Sequence, residues 1–340
     1  MRIESACSAA FARHESFHPR YGWIKKSVEG ASDDPNLFTR EDAVVTLGVG
    51  KNMVRAIRYW GLATKVLANR DNPANARVPH TAPSRIGRTL LADDGWDPYV
   101  EDPATLWLLH WLLMAPNCLA PVWWAAFNEF TAVQFRAADL EAFIVDYIGG
   151  VAGWDSPQVS SLKKDVACLL RMYTALQDGG RATDDDAIDC PFRELGLLRV
   201  ADDRRTYRFV VGGKPSLPPA VALYACLDFA ACSETGASTV TLSRLATEPG
   251  SPGRVFKVSE PVLTELLTSA CRGVDDLDVI NVAGAAQLAF RSDPGELAGC
   301  VLYGHYRKGN AKALKPRFDL AGLSARTSAD DVLALSGDSQ

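Results

Sequence analysis

A chain of 340 residues, 47% hydrophobic and 23% charged, holds enough apolar material for two cores or for one large core with appendages, which excludes disorder as its organising state. No run approaches the roughly 18 apolar residues of a membrane span, and the start MRIESACSAAFARHES interrupts its short apolar run with charges, so neither a membrane segment nor a secretory leader is read here. The net charge of -5 disfavours a polyanionic partner on its face, but residues 1–90 hold 14 Lys and Arg against 8 Asp and Glu, so the N-terminal end alone attracts one.

The segment 35–68 reads as helix, tight turn, helix. Thr39 followed by Asp42 looks like a capping-box start, and Ala43, Val44 and Leu47 make one apolar face. Gly48-Val49-Gly50 breaks that helix, since glycine is poor inside helices and at home in tight turns. A second helix is predicted from Lys51, with Val54, Ile57 and Leu62 inward and Asn52, Arg55 and Arg58 or Tyr59 on the opposite face. The turn-rich stretch that follows resembles the wing of a winged helix, with Arg77, Arg85 and Arg88 as wing cations. An apolar back and a cationic front are what a helix needs to donate to phosphates and base edges in a major groove. An ordinary basic surface helix is the plainer reading of the same pattern.

Further along, TLWLLHWLL, PVWWAAFNEF and DLEAFIVDYI predict three buried helices, with Trp107, Trp111, Trp123 and Trp124 in the core. PQVSSLKKDVACLLRMYTAL predicts an amphipathic helix over 157–180. Leu197 and Leu198, the polar turn Asp202-Asp203-Arg204-Arg205 and the run Tyr207 to Val211 predict a small hairpin. GGKPSLPP at 212–219 marks a boundary, and helices are predicted at 219–233 and 258–272. The fold class expected is mainly α: a winged helix-turn-helix over 1–95, a helical body with a hairpin over 96–215, a helical lobe over 216–325 and a flexible tail over 326–340. Eight scattered cysteines without a C-x-x-C pair are read as buried, reduced thiols of a cytoplasmic protein.

Three short motifs compete for chemistry. HESFH at 14–18 matches the zinc-protease pattern, which needs both histidines on one helical face; Pro19 drives His18 away from helical angles and breaks it. LGVGK at 47–51 is a turn and not a phosphate loop, because Asn52 stands where Ser or Thr would bind magnesium. Asp93, Asp94, Asp97, Glu101 and Asp102 could hold Mg²⁺, but Asp102 before Pro103 is also a good helix N-cap, and capping is the preferred reading. No nucleotide or organic cofactor is expected.

The ordered strings RHESFHPRYGWIKK, EDAVVTLGVGKNMVRAIRYW, DPYVEDPATLWLLHW, WWAAFNEF, SLKKDVACLLRMY, GGKPSLPPAVALYA and EPGSPGRVFKV resemble a bacterial family encoded beside DNA phosphorothioation genes, that of the B component of the Ssp system. The resemblance runs over about residues 11–310. It implies a DNA-binding protein that nicks one strand and so opens the backbone for sulfur insertion by companion phosphorothioation proteins. In the first motif the family's His-Glu pair falls on His14 and Glu15, its arginine on Arg20 and its paired lysines on Lys25 and Lys26. The recognition-helix pattern falls on Gly48, Gly50, Lys51, Asn52, Arg55, Arg58 and Trp60. This chain departs from the pattern with Arg13 before His14 and with His18.

The working expectation is therefore a Mg²⁺-dependent DNA nicking endonuclease. Its base or metal ligand is Glu15 or His14, its phosphate is neutralised by Arg20, Lys25 and Lys26, and duplex DNA is held by Lys51, Asn52, Arg55, Arg58, Arg85 and Arg88. Asp97, Glu101 and Asp102 form the second metal candidate. A homodimer is compatible with this reading, and a non-catalytic winged-helix adaptor or transcriptional regulator is the alternative.

Overall fold

The computed structural model describes residues 1–73, 75, 77–174, 190–233 and 237–307. Within these the chain forms fourteen α-helices and eight short strands, gathered in three small antiparallel sheets. The expected tail at 326–340, the end of the 216–325 lobe and the last residues of the predicted 157–180 helix lie outside the described residues.

After the short α1 (Ile3–Ala6) comes a basic N-terminal group: α2 (Trp23–Asp33), α3 (Ala43–Leu47), α4 (Lys51–Ala63), β1 (Leu67–Arg70), β2 (His80–Pro83) and α5 (Arg85–Leu91). Gly48, in the left-handed region at φ 64°, ends α3, and Gly50 opens α4, as the glycines predicted. The start of α3 differs from the capping-box reading. Thr39 closes a 3-10 turn and its hydroxyl donates to the Asn36 carbonyl, while the Asp42 carboxylate is taken by Arg40. A side chain engaged in an ion pair is not available to cap. Lys26 instead secures α3 from the other end, donating to the Leu47 carbonyl at 2.9 Å. β1 and β2 pair from Leu67↔Pro83 to Arg70↔His80.

The centre of the molecule is α6 (Pro103–Met114) and α7 (Pro121–Asn128), buried along essentially their whole length. A helix apolar all round has no outer face to give to solvent, so it belongs inside. Asp102 caps α6 by accepting from the Ala104 amide at 2.9 Å, with Pro103 in the first turn, as its spacing predicted. The four tryptophans Trp107, Trp111, Trp123 and Trp124 are all 1% exposed or less. Several polar groups in this core are matched: His110 sits between the Tyr173 hydroxyl and the Val255 carbonyl, and Trp111 donates to Asp228 at 2.8 Å, whereas the Trp124 indole N–H finds no hydrogen-bond partner among the described residues.

Around this centre lie β3 (Gln134–Arg136), α8 (Ala137–Gly149), α9 (Val159–Tyr173), β4 (Leu198–Val200) and β5 (Thr206–Phe209). The predicted hairpin is β4–β5, but β3 joins its far side and completes a three-stranded sheet in the order β3-β5-β4. The C-terminal part holds α10 (Pro219–Ser233), β6 (Thr239–Thr241), α11 (Leu242–Thr247), α12 (Pro252–Phe256), α13 (Glu260–Ala270), β7 (Leu277–Val282), β8 (Ala285–Phe290) and α14 (Pro294–Tyr306). The lobe read as helical also carries a small sheet, of β6, β8 and β7. One contiguous core runs from Ile3 to Leu302, and a satellite of Leu37, Ala43, Leu47 and Val54 fills the space under α3. No described helix is long and apolar enough to cross a membrane.

Gly87 on α5 shows how closely the basic group is packed. A Cβ placed there would lie 2.0 Å from the Val66 carbonyl oxygen, and backbone cannot step aside as a flexible side chain can. Gly87→Ala is expected to cost about 2 kcal/mol or more of unfolding free energy, read as a lower urea midpoint at unchanged m-value.

Candidate nucleic-acid interface

On α4, Val54, Ala56 and Ile57 are buried, whereas Lys51 and Asn52 are exposed and the Arg55 side chain is 53% exposed. The cationic front predicted from the sequence is thus on the surface, but it is narrower than expected. Arg58 turns toward the strand pair, donating to Thr81 Oγ1 and Asn69 Oδ1 at 2.9 Å each, and burial lowers its guanidinium pKa. Tyr59 faces inward and donates to the Leu119 carbonyl at 3.1 Å. Arg85 and Arg88 are not on a wing: both lie on α5, Arg85 half-buried and Arg88 exposed. Arg77 lies in the connection between β1 and β2. Arg70 on β1 stands close enough to Arg88 that its pKa is lowered, first by burial and then by that like charge.

Against this front lies the loop 11–20. It contains three non-glycine residues in the left-handed region, Ala12 (φ 52°), Glu15 (φ 51°) and Ser16 (φ 67°), a conformation that surrounding contacts must hold. Those contacts come from two helices. From α9, Asp165 accepts from the Ala12 amide at 2.9 Å and pairs with His14 Nε2 at 2.6 Å, and Arg171 donates to the Ser16 carbonyl at 2.8 Å. From α4, Trp60 Nε1 donates to the Phe17 carbonyl at 2.9 Å. His14 itself is wholly buried, stacked on Trp60 and edge-on to Tyr59 and Trp123. With Asp165 accepting at Nε2, the imidazole proton belongs there. Burial pushes the Asp165 carboxyl up, opposed by the hydrogen bonds from His14 and Ala12.

The net result is that Glu15 is presented beside α4, its carboxylate 3.4 Å from Arg55. The other residues of the first motif face elsewhere. His14 is a core residue and touches nothing outside the protein. Arg20 is 8% exposed, with its guanidinium over the Phe17 and Trp23 rings. Lys25 donates to the Leu91 carbonyl and to Asp93, and lies over the Tyr99 ring. Burial works to lower its pKa, but the Asp93 and Glu29 carboxylates outweigh it and raise it. Lys26 is bound to the end of α3. His18 is 7% exposed; burial, reinforced by Arg193, Arg171 and Arg20, brings its pKa down to about 4.

The two groups of carboxylates weighed for Mg²⁺ fit it unequally. Asp97 is buried with both oxygens engaged, accepting from the Glu101 and Asp102 amides and from Thr105 Oγ1. Asp102 caps α6 and meets His305 at 3.1 Å. That cluster is a folded capping structure and does not fit a cation. Glu15 offers one half-exposed carboxylate, and among the described residues no group of three or more His, Cys, Asp or Glu side chains is arranged to hold a metal. Asp165, Arg171 and Arg193 escaped the sequence reading. Asp165 left one clue, standing between Leu162, Val166 and Leu169 on the apolar stripe of a helix, where a carboxylate needs a partner.

Two expectations follow. Asp165→Ala strands a buried imidazole and an amide, so a loss of about 3 kcal/mol and faster proteolysis within residues 11–20 are expected, with Asp165→Asn milder on both measures. His18 has a folded pKa near 4 against 6.5 unfolded. The unfolded chain therefore binds more protons between those values, and stability present above pH 6.5 is lost as pH falls toward 4, by about 3 kcal/mol from this group. Urea melts across that range should show a shallower acid slope for His18→Asn.

Residues 11–306 match the family described as proteins of unknown function, DUF4007. A solved structure described as the SspB crystal structure superposes with TM-score 0.87 at 37% identity, covering 98% of this chain and 98% of that one. The magnesium ion-bound SspB crystal structure superposes with TM-score 0.88 at 36% identity, covering 98% and 99%. No curated protein matches the chain. With a match over most of its length and a shared fold from end to end, this chain belongs to the DUF4007 family and is similar in structure to SspB.

Proposed function

We propose that this protein serves in DNA phosphorothioation as SspB does, binding duplex DNA and nicking one strand. In this reading α2, α3, α4, β1 and β2 work as a winged helix-turn-helix, with α4 entering the major groove. The observation that carries it is the placement of Glu15. A strained loop, fixed from behind by Asp165, Arg171 and Trp60, holds a carboxylate on the exposed ridge of Lys51, Asn52 and Arg55.

Duplex phosphates compete with Glu15 for Arg55, and the displaced carboxylate is then free beside the backbone. As a general base it takes a proton from water, whose oxygen attacks phosphorus while the P–O bond to the leaving sugar breaks. Lys51 and Arg55 are the cations at hand for the phosphate, because Lys25 and Lys26 are engaged within the fold. His14 acts as a positioning residue. The magnesium ion-bound SspB structure makes Mg²⁺ a candidate cofactor, and Glu15 would be one of its ligands. The acidic remainder of the chain is the surface offered to companion proteins.

The burial of His14 and, among the described residues, the absence of any group of three or more His, Cys, Asp or Glu side chains arranged to hold a metal favour a second reading, a non-catalytic DNA-binding adaptor or regulator. Conversion of supercoiled plasmid to open circle, with and without Mg²⁺, separates the two; folded protein that never nicks leaves only the adaptor. Arg55→Ala is expected to weaken DNA binding and lower the slope of log K against log salt by about one, and an unchanged slope removes Arg55 from the interface. Glu15→Gln should bind DNA at least as tightly as the parent and lose nicking. Retained nicking excludes Glu15 as the base.

A further inference from the structure

The start of the chain meets the connection between α6 and α7. There Cys7 and Cys118 face each other across a parallel bridge: the Cys118 amide donates to the Ala6 carbonyl and the Ser8 amide to the Cys118 carbonyl, both at 2.9 Å. Paired residues in such a bridge lie about 4.8 Å apart, inside the Cα range that a disulfide requires. The two thiols are reduced and hydrogen-bonded to each other.

Their surroundings differ in a way that assigns roles. Cys118 is wholly buried, yet its sulfur accepts from the Ala120 amide at 3.3 Å and lies near the Lys65 ammonium, which is held by the Leu112 and Ala115 carbonyls. Burial raises the pKa of Cys118, but the hydrogen bond from Cys7, the Lys65 charge and the Ala120 N–H together bring it below the usual thiol value. For Cys7 the same Lys65 charge is outweighed, and burial with the Cys118 contact pushes its pKa up. Cys118 is thus the more acidic sulfur and Cys7 the one that keeps its proton more firmly, the order of an attacking and a resolving cysteine. An open cleft of about 370 Å³, lined by Ser5, Pro116, Asn117 and Cys232 among others, reaches Asn117, the chain neighbour of Cys118, and Ser5, two residues before Cys7.

We infer that Cys7 and Cys118 form a peroxide-sensitive dithiol that closes to a reversible disulfide. The Cys118 thiolate attacks one oxygen of hydrogen peroxide; an S–O bond forms, the O–O bond breaks and hydroxide leaves, taking a proton to become water. The Cys7 sulfur then attacks the Cys118 sulfenic acid. The S–S bond forms, the S–O bond breaks, and the second oxygen leaves as water with the Cys7 proton. Two thiols lose two electrons and one peroxide becomes two waters. The bond ties residues 1–10, which lead into the Glu15 loop, to the centre of the fold, and it closes a ring of about 110 residues, long enough to restrict the unfolded chain substantially.

Full-length protein treated with hydrogen peroxide and alkylated after denaturation should lose two of its eight thiols. It should yield a dithiothreitol-sensitive peptide joining Cys7 to Cys118, and melt several degrees higher until reduced. In Cys7→Ser the resolving thiol is gone, so dimedone should trap a sulfenic acid at Cys118. Failure to find the joined peptide in the parent protein, or prior linkage of another pair such as Cys118 with Cys232, overturns the inference; so does folded Cys7→Ser without a Cys118 adduct. The peptide map on the parent protein decides the matter even if the variant does not fold.

Discussion

The contact between His14 and Asp165 governs the arrangement of the basic end. Two polar groups, one on a loop and one 151 residues later on α9, are buried together at 2.6 Å, where neither tolerates solitude. Because the carboxylate also holds the Ala12 amide, and because the imidazole stacks on Trp60, a single pair fixes the loop, α4 and α9 in one register. The left-handed geometry of Ala12, Glu15 and Ser16 costs free energy that the chain would otherwise recover by relaxing. Buried polar pairs are poor sources of stability compared with apolar packing, but they allow few alternative placements. Here that selectivity sets where Glu15 stands.

This division between a hidden anchor and a surface carboxylate changes how the most recognisable motif is read. Its histidine, arginine and lysines lie within one short stretch of sequence, which invites grouping them into one catalytic cluster. In three dimensions they diverge: His14 into the core, Arg20 between aromatic rings, Lys25 toward Asp93 and Lys26 under α3. A dense motif therefore records several structural demands meeting in one short segment. The cationic character of the surface is carried instead by Lys51 and Arg55, supplemented by Arg88.

Helices were legible wherever the pattern was local. Gly48 and Gly50 punctuate α3 and α4, Asp102-Pro103 opens α6, and the tryptophan-rich stretches are buried helices as their uniform apolarity required. What escaped was non-local. β3 pairs with β5 across some seventy residues, and β6 with β8 across nearly fifty, in runs of only three residues that leave no periodicity to detect. The partner of His14 was equally hidden, since nothing near residue 14 points to residue 165. Arg58 shows the finer difficulty: helical spacing put it on the outer face, and only the position of the β1–β2 pair reveals that Asn69 and Thr81 claim it.

The way each end of the described chain packs back onto distant segments has a consequence for synthesis. Tyr306 on α14 donates or accepts at Thr105, Trp96 stacks on Tyr306, and Met1 reaches the Pro249 carbonyl. The cap that orders α6 is thus braced by residues translated some two hundred codons later. A nascent chain emerging from the ribosome carries the apolar α6 and α7 partly uncovered until α10 and α12 arrive to pack on them. Such long-range closure slows assembly, so the interval before release is when this chain is most dependent on chaperones that shield exposed apolar surface.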